Sequence, residues 1–531
     1  MRRTSLTSGL SPNYDYVKGK EVWRSNLRTV ASAARHVRTS LGPNGAYKMV
    51  ALRRGPERII KITRDAAVVL DEFAIQYPTT AFLAEAAKLQ RQEVGDGVTS
   101  FIILTAALLE KADQLVARGV HPTVIVEGFA EAERRAIRII DDMATRLDAQ
   151  ISDAVLEAVD CGRNLLTEKL RHIVKEACQA AAEGGKVDRS RFRYVRVIGG
   201  GVSETRLIRG VVLKKQKLHP NMPDHVEKPR IALTCARIGS NRLEIKMPTE
   251  GSFHMKLELN RPEEMAACRD AENRLKDEEL QKLSGLDVNL LFCQQPIDEH
   301  AKNGLCRAGT LAFETIDRTE MAIIAKATGA TIVSSLAELK ANDVGNAESL
   351  ETEKLGLEKA AVLLCPGYAT FMLRGSTAQG MDEMEQILRN AVTVLETAQQ
   401  GGWVAGGGAI EMHLAQKLRT FARQVSGRQQ LAIDGFAEAL LEIPWCLAEN
   451  NGLNSLDILA RLSQLHADGG SNWGVGLGGC QEDVCQDSSE VKKAVIRRAC
   501  EVASLLLRID EQVTSREMVR FRKQLPLESR D

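Results

Sequence analysis

The chain is poor in aromatic residues: of 531 residues, 4% are aromatic, with 4 Trp, 6 Tyr and 12 Phe. So few rings argue against the stacking platforms that grip single-stranded nucleic acid. It lacks an excess of either charge, with 71 Lys+Arg against 70 Asp+Glu and a formal net charge of +1. Dedicated nucleic-acid or acidic-membrane binders carry a basic excess, so neither partner is expected. No apolar run reaches the roughly 20 residues that cross a bilayer. Met1-Arg2-Arg3-Thr4-Ser5-Leu6 is basic but has no apolar stretch behind it, so it does not read as a secretory leader. The eleven cysteines include no C-x-x-C pair, and the closest two, Cys480 and Cys485, have no further ligand near them at zinc spacing. Buried free thiols in a reducing cytoplasm are the expectation. A Walker A sequence is absent, which removes the P-loop as the default nucleotide site. Internal repeats and low-complexity segments are absent too.

What is present is ordinary globular composition, 44% hydrophobic and 27% charged, over a length that implies about two to four domains. Val22, Trp23, Leu27, Val30, Ala34, Val37 and Leu41 recur at three- and four-residue steps and predict an amphipathic helix over 20–41. It must stop at Gly42-Pro43-Asn44-Gly45, a turn sequence. Arg58-Ile59-Ile60-Lys61-Ile62 reads as a strand leading to Thr63-Arg64-Asp65 at the mouth of another helix. Helices follow over 81–94, Thr99 to about Leu115, and Pro122 to Leu147. From 185 the texture turns Gly-rich and β-branched, and strands alternate with helices through Ile231-Ala232-Leu233, Leu290-Leu291-Phe292 and Thr331-Ile332-Val333. Residues 262–284 read as a charged helix, and helical texture returns from about Asp382. The order is α, then α/β, then α again.

Gly474-Val475-Gly476-Leu477-Gly478-Gly479 fits G-x-G-x-x-G but lacks a strand before it and a helix after it, so a hairpin turn is the better reading than a dinucleotide loop. Gly95-Asp96-Gly97-Val98-Thr99-Ser100 differs. Its glycines let a ligand approach the backbone, the next helix offers free N–H groups to phosphate, and Asp96 suits a hard cation such as Mg²⁺. The alternative is a plain helix–helix turn with Asp96 as N-cap. Gly42-Pro43-Asn44-Gly45 and Gly406-Gly407-Gly408 are two more glycine loops in the helical outer regions, and together the three favour nucleotide binding. Phe253, Met255, Leu257 and Leu259 alternate with polar residues, as in a half-buried strand rather than an exposed client-binding patch. His300 has no second His at i+4 and reads as a surface turn.

Seven segments in order carry a resemblance: Thr39-Ser40-Leu41-Gly42-Pro43-Asn44-Gly45, Glu93-Val94-Gly95-Asp96-Gly97, Leu207-Ile208-Arg209-Gly210-Val211-Val212, His219-Pro220-Asn221-Met222-Pro223, Trp403-Val404-Ala405-Gly406-Gly407-Gly408-Ala409-Ile410-Glu411, Ser426-Gly427-Arg428-Gln429-Gln430-Leu431-Ala432-Ile433 and Leu447-Ala448-Glu449-Asn450-Asn451-Gly452-Leu453. The chain resembles the group II chaperonins, the thermosome and the TCP-1 ring complex, from about Tyr16 to Ile509. The resemblance implies a multidomain α and α/β fold. A helical equatorial ATP-binding domain would comprise 1–145 plus 396–531, and a small intermediate hinge domain 146–210 plus 363–395. An α/β apical substrate-binding domain would span 211–362, with a helical lid protrusion at about 242–284. It further implies a cytoplasmic molecular chaperone of unfolded proteins, using ATP and Mg²⁺ in a homo- or hetero-oligomeric double ring, with no nucleic-acid or membrane partner.

Residue by residue, Leu41, Gly42 and Pro43 match the family's nucleotide loop, and Asp96 its Mg²⁺ ligand. Gly97, Thr99 and Ser100 match phosphate-binding positions, with Val98 where the family has Thr. Gly407 and Gly408 match the glycine loop under the nucleotide, Asp65 a carboxylate near the attacking water, and Asp487 an acidic residue for the ribose, followed by Ser488 instead of Pro. The departures concern the chemistry. The family's hinge reads E-R-A-L-x-D-A; here it is Glu385-Gln386-Ile387-Leu388-Arg389-Asn390-Ala391, with Asn390 in place of the Asp that acts on the water. An amide can orient a water but accepts no proton, and losing a positioned base costs roughly 10²–10⁴ in rate. Slow hydrolysis is therefore expected, and a hydrolysis-deficient structural or regulatory subunit in a mixed ring is the alternative. T-N-D-G is Thr63-Arg64-Asp65-Ala66, Arg163 in Cys161-Gly162-Arg163 keeps the charge of the family's Lys, and the stretch from Gly474 to Val491 is shorter than usual. In place of a Gly-Gly-Met-like tail stands Arg520-Phe521-Arg522-Lys523-Gln524.

Overall fold

A computed structural model describes residues 14–54, 57–73, 78–145, 167–181, 186–238, 274, 277–355 and 358–515. Cys161-Gly162-Arg163, the Phe253–Leu259 alternation, most of 242–284 and the Arg520–Gln524 segment lie outside the described residues. The chain divides into two compact units, Met1–Arg171 with Asp382–Asp531, and His172–Met381.

The first unit is built round the helix Val98–Ala117. Phe101, Ile102, Leu104, Leu108, Leu109 and Ala112 are buried on one side, and Ile103 and Ala107 are buried on the other, so it is a core helix. Each of the Phe, Ile and Leu side chains among them contributes roughly 1.5–3 kcal/mol by leaving water. Around it pack helices that are apolar on one stripe. Lys20–Arg38 buries Val22, Val30 and Val37, and Pro122–Met143 buries Ile125, Phe129, Ala132 and Ala136. Gln429–Leu440 and Ser489–Leu507, from the far end of the sequence, complete the bundle, and Phe129 meets Phe436 edge-on at 5.7 Å between centroids. Tyr14–Lys18 pairs antiparallel with Glu511–Ser515, tying the two ends of the chain together.

The boundaries differ from the periodicity at several points. The first helix ends at Arg38, because residues 39–45 turn and the Gly45 N–H bonds back to the Gly42 carbonyl at 3.0 Å. The helix from Pro122 ends at Met143. The 58–62 strand extends to Glu57–Thr63 and pairs with a strand that the pattern did not signal, Lys48–Arg54, whose Met49 is exposed where a core strand would be covered. Residues 473–482 do form a hairpin, Trp473–Gly476 against Gly479–Glu482, so no dinucleotide loop stands there. His300 lies in the first turn of a helix, Glu299–Arg307, rather than in a turn, and its Nε2 meets Asp277 Oδ1 at 3.0 Å.

The second unit is α/β. Leu290–Cys293 lies between the parallel strands Arg230–Thr234 and Leu311–Phe313, and all four of its residues are fully buried, as expected for a parallel strand covered on both faces. Gly210–Leu213, Glu358–Leu364, Ser349–Leu355 and His225–Glu227 form an antiparallel sheet, and Ala369–Gly375 pairs with Phe192–Ile198 and Arg206–Ile208. Cys178, Cys293, Cys365, Cys446 and Cys500 are buried free thiols, whereas Cys235 is exposed. Among the described residues no helix is long and apolar enough to cross a membrane.

Candidate nucleotide site

The predicted site residues all fall in the first unit, and contacts join them into a closed circuit. The circuit starts at residues 41–45. Gly42 has φ 82°, and a Cβ there would lie 2.6 Å from Leu447 Cδ2, so the loop is pressed against the segment 442–451. That segment holds the loop by two amides. Asn450 Nδ2 donates to the carbonyls of Arg38 (3.0 Å) and Leu41 (2.9 Å). Asn451 Oδ1 accepts from Asn44 Nδ2 (3.0 Å), while its Nδ2 donates to the Gly476 carbonyl in the hairpin (3.1 Å).

The hairpin in turn rests on the triple glycine. The Val475 N–H donates to the Gly407 carbonyl at 2.8 Å, and a Cβ at Gly474 would come within 2.8 Å of the Gly406 oxygen. Gly407 and Gly408 have φ 63° and 82°, and Gly408 caps the helix Ala409–Ala422, so the loop could not take this path with larger residues. Asp487 sits on the strand Gln486–Ser488, paired with Trp403–Ala405, and meets Lys492 Nζ at 2.8 Å. Beside it, burial first and then the Asp487 carboxylate push the Cys485 thiol up to about 12.

The helix Ser489–Leu507 carries the circuit to Gly95-Asp96-Gly97. A Cβ on Gly97 would strike Val495 at 2.6 Å, and one on Gly95 would lie 2.8 Å from the backbone oxygen of Asn390. Asp96 is exposed, and its Oδ1 accepts the Gly97 N–H at 2.6 Å. The first intrahelical bond beyond it is Phe101 N–H to Gly97 carbonyl at 2.8 Å. The N–H groups of Val98, Thr99 and Ser100 therefore precede the helix ladder, and the positive end of its dipole falls there. Such an end receives phosphate.

Asp65 closes the circuit. Its Oδ1 caps the helix Ala66–Phe73 by accepting the Ala67 N–H at 2.8 Å. Its Oδ2 accepts from Arg91 Nη1 at 2.7 Å, from the helix Pro78–Val94 that precedes Gly95. Arg64 Nη2 reaches the Gly42 carbonyl at 3.1 Å, returning to the first loop. Ala66 is 1% exposed, so the extra methyl relative to the family's Gly is accommodated in the core. Asn390, half-buried on the helix Ala378–Gly401, accepts a hydrogen bond on Oδ1 from Gln386 Nε2 at 2.7 Å.

The chemistry of this set suits an Mg²⁺-bound nucleotide: closely packed glycines, free helix N–H groups and one outward carboxylate. No group of three or more His, Cys, Asp or Glu able to hold a metal ion occurs among the described residues. A cation at Asp96 would thus draw its other ligands from phosphate and water, as Mg²⁺ does. Sequence reasoning assigned no role to Arg64, Arg91, Asn450, Asn451, Glu411 or Lys492. Glu411 and Asn450-Asn451 lie in two of the motifs and Arg64 in the departure from T-N-D-G, whereas Arg91 and Lys492 gave no local signal.

Residues 34–517 match the TCP-1/cpn60 chaperonin family. The chain belongs to that family. It is 35% identical over 516 residues to a thermosome subunit beta of Thermoplasma acidophilum, covering 94% of this chain and 93% of that one. A thermosome subunit of Methanopyrus kandleri is 33% identical over 527 residues, covering 96% and 95%. A thermosome subunit alpha of Aeropyrum pernix is 35% identical over 517 residues, covering 93% and 91%. The helical first unit and the α/β second unit accord with the multidomain group II chaperonin fold.

Proposed function

We propose that this chaperonin chain is an ATP-binding subunit of a cytoplasmic double ring that assists the folding of unfolded proteins, with hydrolysis slowed by Asn390. The observation that carries the reading is the circuit itself. Segments near residues 42, 65, 96, 390, 407, 475 and 487 contact one another in one unit, although more than 440 positions separate the first from the last. When bound, ATP·Mg²⁺ would supply a phosphoanhydride to cleave and a cation to offset its charge. Asp96 would hold the cation; the N–H groups of Val98, Thr99 and Ser100 would bind phosphate oxygens; Gly407 and Gly408 would let the backbone come close. Asp65, fixed by Arg91 and the Ala67 N–H, would orient water at the site.

The three-domain division proposed from the resemblance, with 1–145 plus 396–531 as the nucleotide domain, 146–210 plus 363–395 as the hinge and 211–362 as the client-binding domain, belongs to the same reading. So does ring assembly. The hairpin of Lys48–Arg54 and Glu57–Thr63 exposes Met49, Ile60 and Ile62, apolar surface suited to a neighbouring subunit. One observation favours the second reading, a hydrolysis-deficient subunit among active paralogues: the Asn390 side-chain oxygen is already engaged by Gln386. Electron microscopy of the purified protein with and without ATP tests the assembly. Two stacked rings whose outline changes with ATP support the main reading, and a monomer unaffected by ATP contradicts it.

A further inference from the structure

The strand Gln486–Ser488 places Asp487 opposite Val404, two residues before the triple glycine. The Gly406 N–H donates to the Cys485 carbonyl at 2.8 Å, and a Cβ on Gly406 would lie 2.9 Å from the Asp487 carboxyl carbon. The helix that the glycine loop opens carries Glu411 in its first turn. One cation joins these segments. Lys492 Nζ lies 2.8 Å from Asp487 Oδ2 and 2.7 Å from Glu411 Oε1. Burial opposes the lysine's charge, but the two carboxylates outweigh it and hold its pKa above the ordinary lysine value.

The three side chains are graded in exposure: 4% for Glu411, 12% for Lys492 and 29% for Asp487. Glu411 Oε2 is buried and has no hydrogen-bond partner among the described residues, so that carboxylate depends on Lys492 for its compensation. A buried ion network of this kind is seldom more stable than apolar packing of the same volume. What it supplies is position: Glu411 cannot leave the lysine without stranding a buried charge, so Lys492 is fixed beside the glycine loop and its remaining attraction holds the partly exposed Asp487 there.

We infer that Lys492 is a positioning residue: it locks Asp487 to the Gly406–Gly408 loop through Glu411, and so presents Asp487 to the ribose hydroxyls of an adenine nucleotide. The ribose part rests on the nucleotide reading above; the locking of the loop does not.

The two parts are tested separately on the full chain. Calorimetric titration with ADP·Mg²⁺ and with 2′-deoxy-ADP·Mg²⁺ reads the ribose part. The wild type prefers ADP; Lys492→Met weakens ADP by roughly tenfold or more and abolishes most of the preference, while Lys492→Arg, which keeps the charge, restores it. Unchanged affinities in Lys492→Met, or an equal loss for both ligands, overturn it, since a merely structural role would not alter the ratio. A wild type that binds neither ligand overturns both the nucleotide reading and the ribose part.

Hydrogen exchange without nucleotide reads the locking. In Lys492→Met the Gly406 and Val475 N–H groups exchange about tenfold faster or more, with amides of the central Val98–Ala117 helix unchanged. Unchanged exchange at Gly406 and Val475 overturns the locking. Should Lys492→Met fail to fold, Glu411→Gln serves in its place: faster exchange at Gly406 supports the inference, and wild-type exchange there overturns it.

Discussion

Asp65 and Asn390 match the two family positions that act on the attacking water, yet they are held in opposite ways. Asp65 keeps its carboxylate between the Ala67 N–H of the helix it caps and Arg91, which reaches it from another helix 26 positions away. Asn390 has an amide where the family has an acid, and that amide is satisfied by Gln386, one turn back on the same helix. The backbone around Asn390 is nevertheless fitted to the site, since its carbonyl is among the atoms that forbid any side chain at Gly95. On the proposed function, the difference separates a binding half, which would keep its N–H donors and the Asp96 carboxylate, from a half that would take a proton and carries an amide at 390.

The sharpest way to break this comparison is at the binding half. Asp96→Ala removes the one outward carboxylate of the glycine loop, and the Mg²⁺-dependent part of ADP affinity should fall about 100-fold or more by calorimetry. Retained Mg²⁺ dependence would show that the cation is held elsewhere. Next in size is Asp65→Asn, which makes both water-side positions amides. Whatever phosphate release the wild type shows should drop a further 10-fold or so, with ADP affinity kept. Loss of affinity instead would place Asp65 in the binding half.

Arg91→Met strips Asp65 of its cation while leaving its cap intact. With both side chains largely covered, the cost should be about 1–3 kcal/mol in denaturant unfolding, and Asp65→Asn/Arg91→Met together should cost less than the sum. Additive losses would mean the pair is not coupled. The smallest effect serves as a control away from the chemistry. Burial, with help from Lys417 and His466, holds His413 down to about 4, below its ordinary 6.5. The neutral ring is thus the folded-state form, and its contribution is intact above about pH 6.5 and lost as pH falls toward 4. The melting temperature should decline over that window and decline less in His413→Gln; identical acid profiles would remove His413 from the account.

How much of this was legible in the sequence depends on how far apart the partners lie. The Gly95–Gly97 loop and the helix start beyond it are local, and glycine spacing was enough to find them. The hairpin at 473–482 followed from what did not flank its glycines. The strand Lys48–Arg54 was not visible, because exposed Met49 and its basic neighbours carry no core pattern. The partners of Arg64, Arg91 and Lys492 were not legible for another reason. A lone cation has no periodicity, and the groups these contact lie 22, 26 and 81 positions away for Gly42, Asp65 and Glu411. The replacement at 390 was read correctly as an amide, but its Gln386 partner became evident only on the helix.

The most direct test of a binding-competent, hydrolysis-slowed site is steady-state phosphate release from ATP by the wild type and by Asn390→Asp, measured side by side with ATP affinity. Phosphate release should rise about 10-fold or more in the variant, as expected when a positioned base is restored, at nearly unchanged affinity. Equal and robust turnover in the two proteins would contradict it.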